Sequence, residues 1–179
     1  MLNGFPMRLV VPGWYATYWV KALNQVEVLS EKFKGFWMEK AYRIPSSPGA
    51  NESPGHLAAE TQPINRMNLR SLFVRPEPGE QIPQTPFEIQ GLAFDGGSGI
   101  ERVEVSTDNG ATWQPARLDP ELGNYSWRRW RKRWTPPGKG KYQFKVRAFN
   151  RLGDQQTTNL WNRSGYMRNV IEQTELEVI

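Results

Sequence analysis

From about residue 67 onward, short stretches in which apolar and polar residues alternate recur roughly every ten residues, and turn residues separate them. In the stretch 101–106, Val103 and Val105 fall on one face of a strand and the polar residues between them on the other. This spacing, without long helical patterns, is typical of an all-β sandwich. The clearest predicted strands lie at residues 87–93, 101–106, 112–116, 125–134, 142–148 and 175–178.

Glycine-containing turns separate these predicted strands. Asp108-Asn109-Gly110 is the strongest turn signal, because Asn-Gly readily adopts the positive φ angles that a tight hairpin requires. Glycine and proline also cluster at residues 95–99 and 136–140, where we predict two looser hairpins.

The N-terminal part of the chain has a different pattern. An apolar run at residues 8–11 ends at Pro12-Gly13, and alternation returns at residues 20–28, so we predict two strands there. Residues from Pro45 onward then gather Pro, Ser, Gly, Asn and Glu without periodicity, which is typical of a linker. We therefore divide the chain into residues 1–44, a linker at 45–64, and a β domain at 65–179.

Composition narrows the chemistry that the chain can perform. Apolar residues make up 38% and charged residues 23%, and the mean hydropathy is −0.66, which is typical of a soluble globular protein. With no Cys there is no disulfide, thiolate metal ligand or cysteine nucleophile. The single histidine, His56, lies in a Pro-Gly loop and is better interpreted as a solvated side chain than as part of a catalytic triad.

A basic, aromatic stretch runs from Trp127 to Trp134, and no acidic residue occurs between Trp127 and Arg147. With a net charge of +5, this pattern suggests nucleic-acid binding, in which rings stack on bases and arginines contact phosphates. The alternative is that Trp130 and Trp134 turn inward to fill a sandwich core while the arginines face outward. We favour the core interpretation.

Two smaller groups of cations are candidates for anion binding. Arg8 and Lys21 flank a Pro-Gly turn, which could bring them together around a phosphate. Residues 161–169 form a loop-like segment with Arg163 and Arg168, whose guanidinium groups could bind an oxyanion.

Several of these segments resemble one known family. Residues 3–13, followed by Tyr18-Trp19-Val20-Lys21, resemble the G-[FY]-P-x-R-x-x-x-P-G…V-K segment near the end of the molybdenum-cofactor domain of the sulfite oxidase family. Residues 99–113 are similar to that family's I-x-x-V-x-V-S-x-D-G-G-x-T-W hairpin, and residues 127–134 and 161–166 fit the same C-terminal domain. The segment at 18–21 is more similar to the bacterial sulfite dehydrogenases than to the animal or plant oxidases.

The resemblance implies a mainly β fold: an immunoglobulin-like β-sandwich that serves as the dimerisation domain, at residues 65–179, preceded by a short tail of the molybdopterin-binding domain at residues 1–44. It implies that Arg8 contacts the pterin phosphate and that Trp19, Val20 and Lys21 complete that pocket. Asn3 stands where the family has a histidine.

The resemblance also implies an oxyanion site in the Trp161-Asn162 loop. Ser164 stands where the family has an arginine that helps to hold the oxyanion, and Arg163 and Arg168 lie nearby in the sequence. We therefore name Arg168 first and Arg163 second as the candidate catalytic residues.

The activity that the resemblance implies is oxidation of sulfite to sulfate by oxygen-atom transfer at a molybdenum cofactor. The family's molybdenum-ligating cysteine has no counterpart here, so we expect a C-terminal fragment that by itself binds no cofactor and is inactive. The implied partners are a second copy of the chain, the upstream molybdopterin-binding part and a cytochrome-type electron acceptor.

The implied location is periplasmic, although the chain carries no secretory signal, and we expect no membrane partner. The alternative function is a stand-alone immunoglobulin-like interaction module without catalysis. Nucleic-acid binding is the third hypothesis.

Overall fold

The structure, a computed structural model, describes residues 3–158 and 161–179. These residues form two compact units. The small unit comprises residues 3–67 and 161–168, and the sandwich unit comprises residues 68–158 and 169–179.

The small unit contains little regular structure. Short 3-10 helices lie at Ala16–Tyr18 and Pro48–Ala50, and a π-helix lies at Trp37–Ala41. Strands β1 (Arg43–Pro45) and β2 (Thr61–Pro63) pair antiparallel. None of the helices in the described ranges is long and apolar enough to cross a membrane. The core of this unit consists of Ile44, Ala50 and Ile64, packed against Tyr15, Tyr18, Tyr42, Tyr166 and Met167.

The two strands predicted at residues 8–11 and 20–28 are wrong. These residues form a single antiparallel bridge, between Arg8 and Lys21, and no strand. Val26 and Val28 are 76% and 95% exposed, so the alternation there has neither a partner strand nor a core to face.

The segment predicted as a linker, residues 45–64, contributes β2 and the buried side chains of Ala50 and Ile64 to the small unit. This segment is therefore part of the packed small unit, and its Pro45 is fully buried. The assignment of residues 1–44 to a cofactor domain and of 65–179 to a dimerisation domain stays a prediction.

The sandwich unit is built from two β-sheets. Its strands are β3 (Arg70–Arg75), β4 (Glu80–Ile82), β5 (Phe87–Phe94), β6 (Ile100–Ser106), β7 (Gln114–Pro115), β8 (Arg117–Leu118), β9 (Arg128–Trp134), β10 (Gly140–Asn150) and β11 (Glu172–Val178). One sheet has the order β3-β5-β9-β8 and the other β4-β11-β10-β6-β7. This is the strand order of an immunoglobulin-like sandwich, and the predicted mainly β fold is confirmed.

The inward faces of the two sheets form the main core. Trp130, Phe144 and Ile89 are fully buried there, and alternate residues of β6 and β10 join them. Trp134 packs edge-on against Phe144, with ring centroids 4.9 Å apart. The core interpretation of Trp130 and Trp134 is therefore confirmed.

Several other residues of the basic stretch also have partners within the sandwich unit. The Trp127 ring stacks on Phe94 at a centroid distance of 4.6 Å. Arg129 and Arg131 both form ion pairs with Asp119, at 3.4 and 3.2 Å. The Trp127 ring and these two arginines thus have structural partners.

The structure has the predicted positive φ angles at one of the three predicted turns, and the other two are not hairpins. Asn109 and Gly110 have φ angles of 59° and 95°, as predicted, but the β6–β7 ladder starts only at Val105 and Gln114, so the loop is longer than a tight hairpin. The turns at 95–99 and 136–140 are not hairpins, because each joins strands of different sheets. Turn residues predict that the chain reverses direction, whereas packing against the core determines which sheet the next strand joins.

Candidate cofactor and oxyanion site

The Arg8–Lys21 bridge is the centre of the first candidate site. The Leu9 N–H donates to the Val20 carbonyl at 2.9 Å, and the Ala22 N–H donates to the Gly4 carbonyl at 3.4 Å. Residues directly opposite each other in an antiparallel pair project their side chains to the same face. Arg8 and Lys21 are therefore neighbouring cations on one exposed face.

Trp19 supports this arrangement. Its indole Nε1 donates to the Val11 carbonyl at 3.0 Å, and the Arg8 guanidinium carbon lies 5.5 Å from the centre of its ring. This is a cation–π contact, which limits the orientations that Arg8 can adopt. In the part of the chain that the structure describes, Arg8 forms no ion pair.

A glycine lets the first residues pass close to Lys21. Gly4 has a φ of 90°, and a Cβ at this position would lie 3.0 Å from the Lys21 Cα. Asn3, which precedes Gly4, is exposed. Of the predicted cofactor residues, the structure thus brings Arg8, Trp19, Val20 and Lys21 together, with Asn3 next to the turn.

Asn162 organises the second candidate site, the loop at residues 161–167. Its buried side-chain amide donates to the carbonyls of Ala50 and Tyr166, at 3.1 and 2.8 Å. Its Oδ1 accepts from the N–H groups of Ser164 and Tyr166, both at 3.2 Å. The loop is therefore fixed by one buried side chain.

Arg163 is held by Glu52, whose side chain is only 1% exposed. Nε of Arg163 donates to Oε1 at 3.0 Å and Nη2 to Oε2 at 2.8 Å, and the Arg163 and Ala58 N–H groups each add a bond of 2.8 Å to the same carboxylate. These bonds, the Arg163 side chain foremost, lower the pKa of Glu52 from its ordinary value of 4.5 to about 2. Arg163 is thus primarily a structural partner of Glu52.

Arg168 lies at the other end of this loop. It is exposed and follows Met167, whose φ is 57°. Met167 packs on the same small core as Tyr15 and Tyr18, which directly precede the Trp19 segment. The cofactor segment and the oxyanion loop therefore share one unit and one core.

Glu52 was missed by the sequence analysis. It lies 111 positions from Arg163, and nothing in its surroundings in the chain points to an ion pair. Sequence analysis also missed a cavity of about 280 Å³, whose lining includes Arg43, Arg163 and Ser164. Among residues 3–158 and 161–179, no cluster of three or more His, Cys, Asp or Glu side chains could hold a metal ion.

The Glu52–Arg163 pair gives a pH-dependent prediction. Because folding lowers the pKa of Glu52 from its ordinary value of 4.5 to about 2, the pair's stabilisation is complete above pH 4.5 and is lost as the pH falls through 2. We expect the amide protons of Ala58 and Arg163, which donate to this carboxylate, to titrate in NMR spectra with a midpoint near 2. Arg163→Met is expected to move the Ala58 midpoint upward, and Glu60→Gln, at an exposed glutamate of the same unit, to leave it in place. An Ala58 midpoint at the ordinary glutamate value in the unsubstituted chain would show that the pair is not formed.

Two family models match the chain. The one described as the Mo-co oxidoreductase dimerisation domain matches residues 61–178, and the one described as the oxidoreductase molybdopterin binding domain matches residues 1–37.

Curated relatives match almost the whole chain. Mitochondrial sulfite oxidase of Homo sapiens is 30% identical over 176 residues, which cover 93% of this chain and 32% of the relative. Inducible nitrate reductase [NADH] 2 of Glycine max is 31% identical over 185 residues, which cover 93% of this chain and 21% of the relative. The chain thus spans about a third or less of the length of these relatives.

A solved structure shares the fold. The sulfane dehydrogenase SoxCD from Paracoccus pantotrophus superposes with a TM-score of 0.82 at 23% identity, covering 99% of this chain and 47% of that chain.

Proposed function

Because the chain belongs to the family of the Mo-co oxidoreductase dimerisation domain, we propose that it is the dimerising part of a molybdenum-cofactor oxidoreductase that oxidises sulfite to sulfate. The observation that carries this proposal is the exposed pair of cations, Arg8 and Lys21, beside the Trp19 ring. This pair lies within residues 1–37, which match the molybdopterin-binding model.

The exposed cations fit the phosphate group of a pterin cofactor. Arg8 and Lys21 project to one face, so a phosphate between them would receive charge-assisted hydrogen bonds from both. Trp19 restricts the Arg8 guanidinium through the cation–π contact, which lowers the entropy lost on binding. Val20, whose carbonyl accepts from Leu9, keeps the two cations in register, and Asn3 lies beside Gly4, which passes close to Lys21.

The role of the oxyanion loop is to hold a dianion beside the cofactor. We assign the substrate-facing charge to Arg168, the exposed arginine of this loop that the sequence analysis names first. Arg163 serves this loop mainly through its ion pair with Glu52. The molybdenum cofactor, when bound, supplies the oxygen transferred to sulfite and takes up the electrons released. Positive side chains around the substrate would hold this dianion, whose net charge is the same in sulfite and in sulfate, beside the cofactor.

The exposed apolar surface of the small unit gives the partner proposal. Phe5, Val10, Val28 and Phe36 are between 51% and 95% exposed, and all lie within the segment that matches the molybdopterin-binding model. The concentration of exposed apolar side chains in this one segment favours an interaction site. We propose that the remaining part of a molybdopterin-binding domain covers it.

The same proposal extends to the other partners. Residues 65–179 would form the contact with a second copy of the chain, and a cytochrome-type protein would accept the electrons. A periplasmic location follows from the family resemblance.

Cofactor content tests the function. The chain would be purified from a host that makes the cofactor, alone and after co-expression with a polypeptide carrying the rest of a molybdopterin-binding domain. Molybdenum by elemental analysis and pterin by the fluorescence of its oxidised form are expected only after co-expression. Absence of both from the co-purified pair would leave an interaction module without catalysis.

Arg8→Gln is expected to weaken cofactor retention in the co-purified complex. Loss of one charged hydrogen bond to a phosphate costs about 1.5–3 kcal/mol, which corresponds to roughly ten- to hundredfold weaker binding. The measurement is the pterin retained during dialysis. Lys34→Gln, which removes an exposed charge from the same unit, is the matched control. If the two variants retain equal amounts of pterin, Arg8 does not bind the cofactor.

Nitrate reduction is the second candidate function, since the nitrate reductase of Glycine max is as similar to this chain as sulfite oxidase is. Sulfite-dependent reduction of an electron acceptor and nitrate-dependent oxidation of a donor, measured on the same cofactor-loaded complex, distinguish the two. Turnover with nitrate alone would replace sulfite as the substrate.

A further inference from the structure

A basic groove of about 690 Å³ lies in the sandwich unit, beside strands β8 and β9. Its volume is within the range of protein ligand pockets, about 300–1,000 Å³. Four of its charged lining residues are cationic and two are anionic, so the lining carries a net positive charge. These residues are Glu88, Arg117, Asp119, Arg131, Lys132 and Arg133.

The arginines of the groove lie on the outer face of their sheet, because side chains alternate along a strand. Trp130 and Trp134 of β9 pack in the core, so Arg131 and Arg133 project outward. Arg117 of β8 lies directly opposite Arg131, and residues directly opposite each other share one face. Arg117 and Arg133 are therefore diagonal neighbours on this face, about 7–8 Å apart.

Part of the basic lining is used within the unit. The Asp119 carboxylate forms ion pairs with Arg131 at 3.2 Å and with Arg129 at 3.4 Å. The Lys132 Nζ donates to the Pro115 carbonyl at 3.3 Å. Arg131 is therefore held in place at the floor of the groove, and its charge is offset by Asp119.

Arg117 and Arg133 keep free guanidinium groups. Both are exposed, and within residues 3–158 and 161–179 neither guanidinium forms an ion pair or a hydrogen bond. Glu88 lies opposite Arg133 in the β5–β9 ladder, but its Oε1 accepts from the Gln90 amide at 2.7 Å. The groove thus presents two free arginine forks, with Glu88 as an acid that weakens its attraction for an anion.

The spacing of these two forks fits an extended acidic peptide. Alternate side chains of an extended chain lie on one face, about 6.8 Å apart, and each arginine fork can bind one carboxylate bidentately. Single-stranded nucleic acid also carries regularly spaced charges, but its binding relies on aromatic rings that stack on bases. None of the described lining residues is aromatic, so charge and spacing favour a peptide.

We propose that this groove binds an extended acidic segment of a partner protein, with carboxylates at alternate positions. Arg117 and Arg133 each bind one carboxylate. The net charge of +5 on the whole chain favours the encounter with an acidic partner. The inference goes beyond the proposed function and does not depend on the cofactor, because the groove lies within the sandwich unit alone.

The test is fluorescence anisotropy of the full chain with a labelled peptide in which glutamate alternates with serine. The salt concentration is about 0.15 M, at which charges more than about 8 Å apart are largely screened. We expect saturable binding. A peptide with the same number of glutamates at every third position presents neighbouring carboxylates on opposite faces, and it is expected to bind about two- to fivefold more weakly.

Arg117→Gln and Arg133→Gln are each expected to weaken peptide binding about two- to fivefold, and Glu88→Gln to strengthen it about twofold. Lys141→Gln, which removes an exposed charge from the other sheet, is the matched control and is expected to leave binding unchanged. Because the two arginine forks have no partners among the described residues, we expect their substitution to leave the melting temperature unchanged.

Binding that does not saturate, or equal weakening by Arg117→Gln and Lys141→Gln, overturns the proposal. Tighter binding of single-stranded oligothymidylate than of the peptide, lost in the same two arginine variants, would assign the groove to nucleic acid instead. If Arg133→Gln separates two copies of the chain in size-exclusion chromatography, the occupant is a second copy and the proposal is wrong.

Discussion

Gln156→Leu is expected to destabilise the sandwich unit by about 3–5 kcal/mol. Gln156 is only 2% exposed, and its Oε1 accepts from the Ser71 N–H, the Ser71 hydroxyl and the Ala148 N–H at 3.0, 2.6 and 2.9 Å. Its Nε2 donates to the Val170 carbonyl at 2.5 Å. One side chain thus satisfies the polar groups of three segments, and leucine would leave all of them buried without partners.

Urea unfolding followed by circular dichroism measures this change. Gln143→Leu is the matched control, since Gln143 is an exposed glutamine on β10, and it is expected to change the free energy of unfolding by less than about 0.5 kcal/mol. If Gln156→Leu lowers the free energy of unfolding by less than about 1 kcal/mol, water reaches these polar groups or the three segments are not joined as described.

Gly91→Ala is expected to lower the free energy of unfolding of the sandwich unit by about 3 kcal/mol. Gly91 lies on β5 directly opposite Trp130 of β9. A Cβ at this position would lie 2.1 Å from Cζ2 of Trp130 and 2.2 Å from the Leu72 carbonyl oxygen. Neither neighbour can yield, because the Trp130 ring is fully buried in the core and the carbonyl belongs to the adjacent strand.

The melting temperature reports this effect. For a unit of this size, we expect a decrease of more than about 10 °C. Gly138→Ala is the matched control, since no atom lies within 4 Å of a Cβ at that position and its φ is not in the left-handed region. Equal melting temperatures for the two variants would mean that Trp130 does not pack over Gly91.

Most strands of the sandwich were predictable, because each shows alternating apolar and polar residues within its own short stretch of sequence. Val103 and Val105 alternate with polar neighbours, and both valines are fully buried in the structure. Strand β4, Glu80–Ile82, carries no such signal: it is short, and only its parallel pairing with β11 makes it a strand. Pairing of this kind depends on residues far away in the chain.

In the N-terminal region, by contrast, the sequence pattern predicts a strand that does not form. Alternation at residues 20–28 suggested a strand, but a strand needs a partner, and the described residues provide one only at Lys21. Val28 is therefore 95% exposed although its sequence context is that of a buried strand.

The candidate site was predictable only where its residues lie close together in the sequence. Arg8 and Lys21 are joined by a turn whose residues could be recognised, and the structure places them opposite each other. The partner of Arg163 could not be recognised, because Glu52 approaches it through folding of distant segments. The resemblance to the family supplied candidate roles, and the structure adds that the guanidinium of Arg163 is bound by Glu52.

Native mass spectrometry of the chain co-purified with the rest of a molybdopterin-binding domain tests dimerisation and cofactor binding together, because one spectrum reports both copy number and bound cofactor. We expect a complex with two copies of the 20.7 kDa chain and the mass of a molybdenum cofactor for each copy. A spectrum that contains only single copies without added cofactor mass would contradict it.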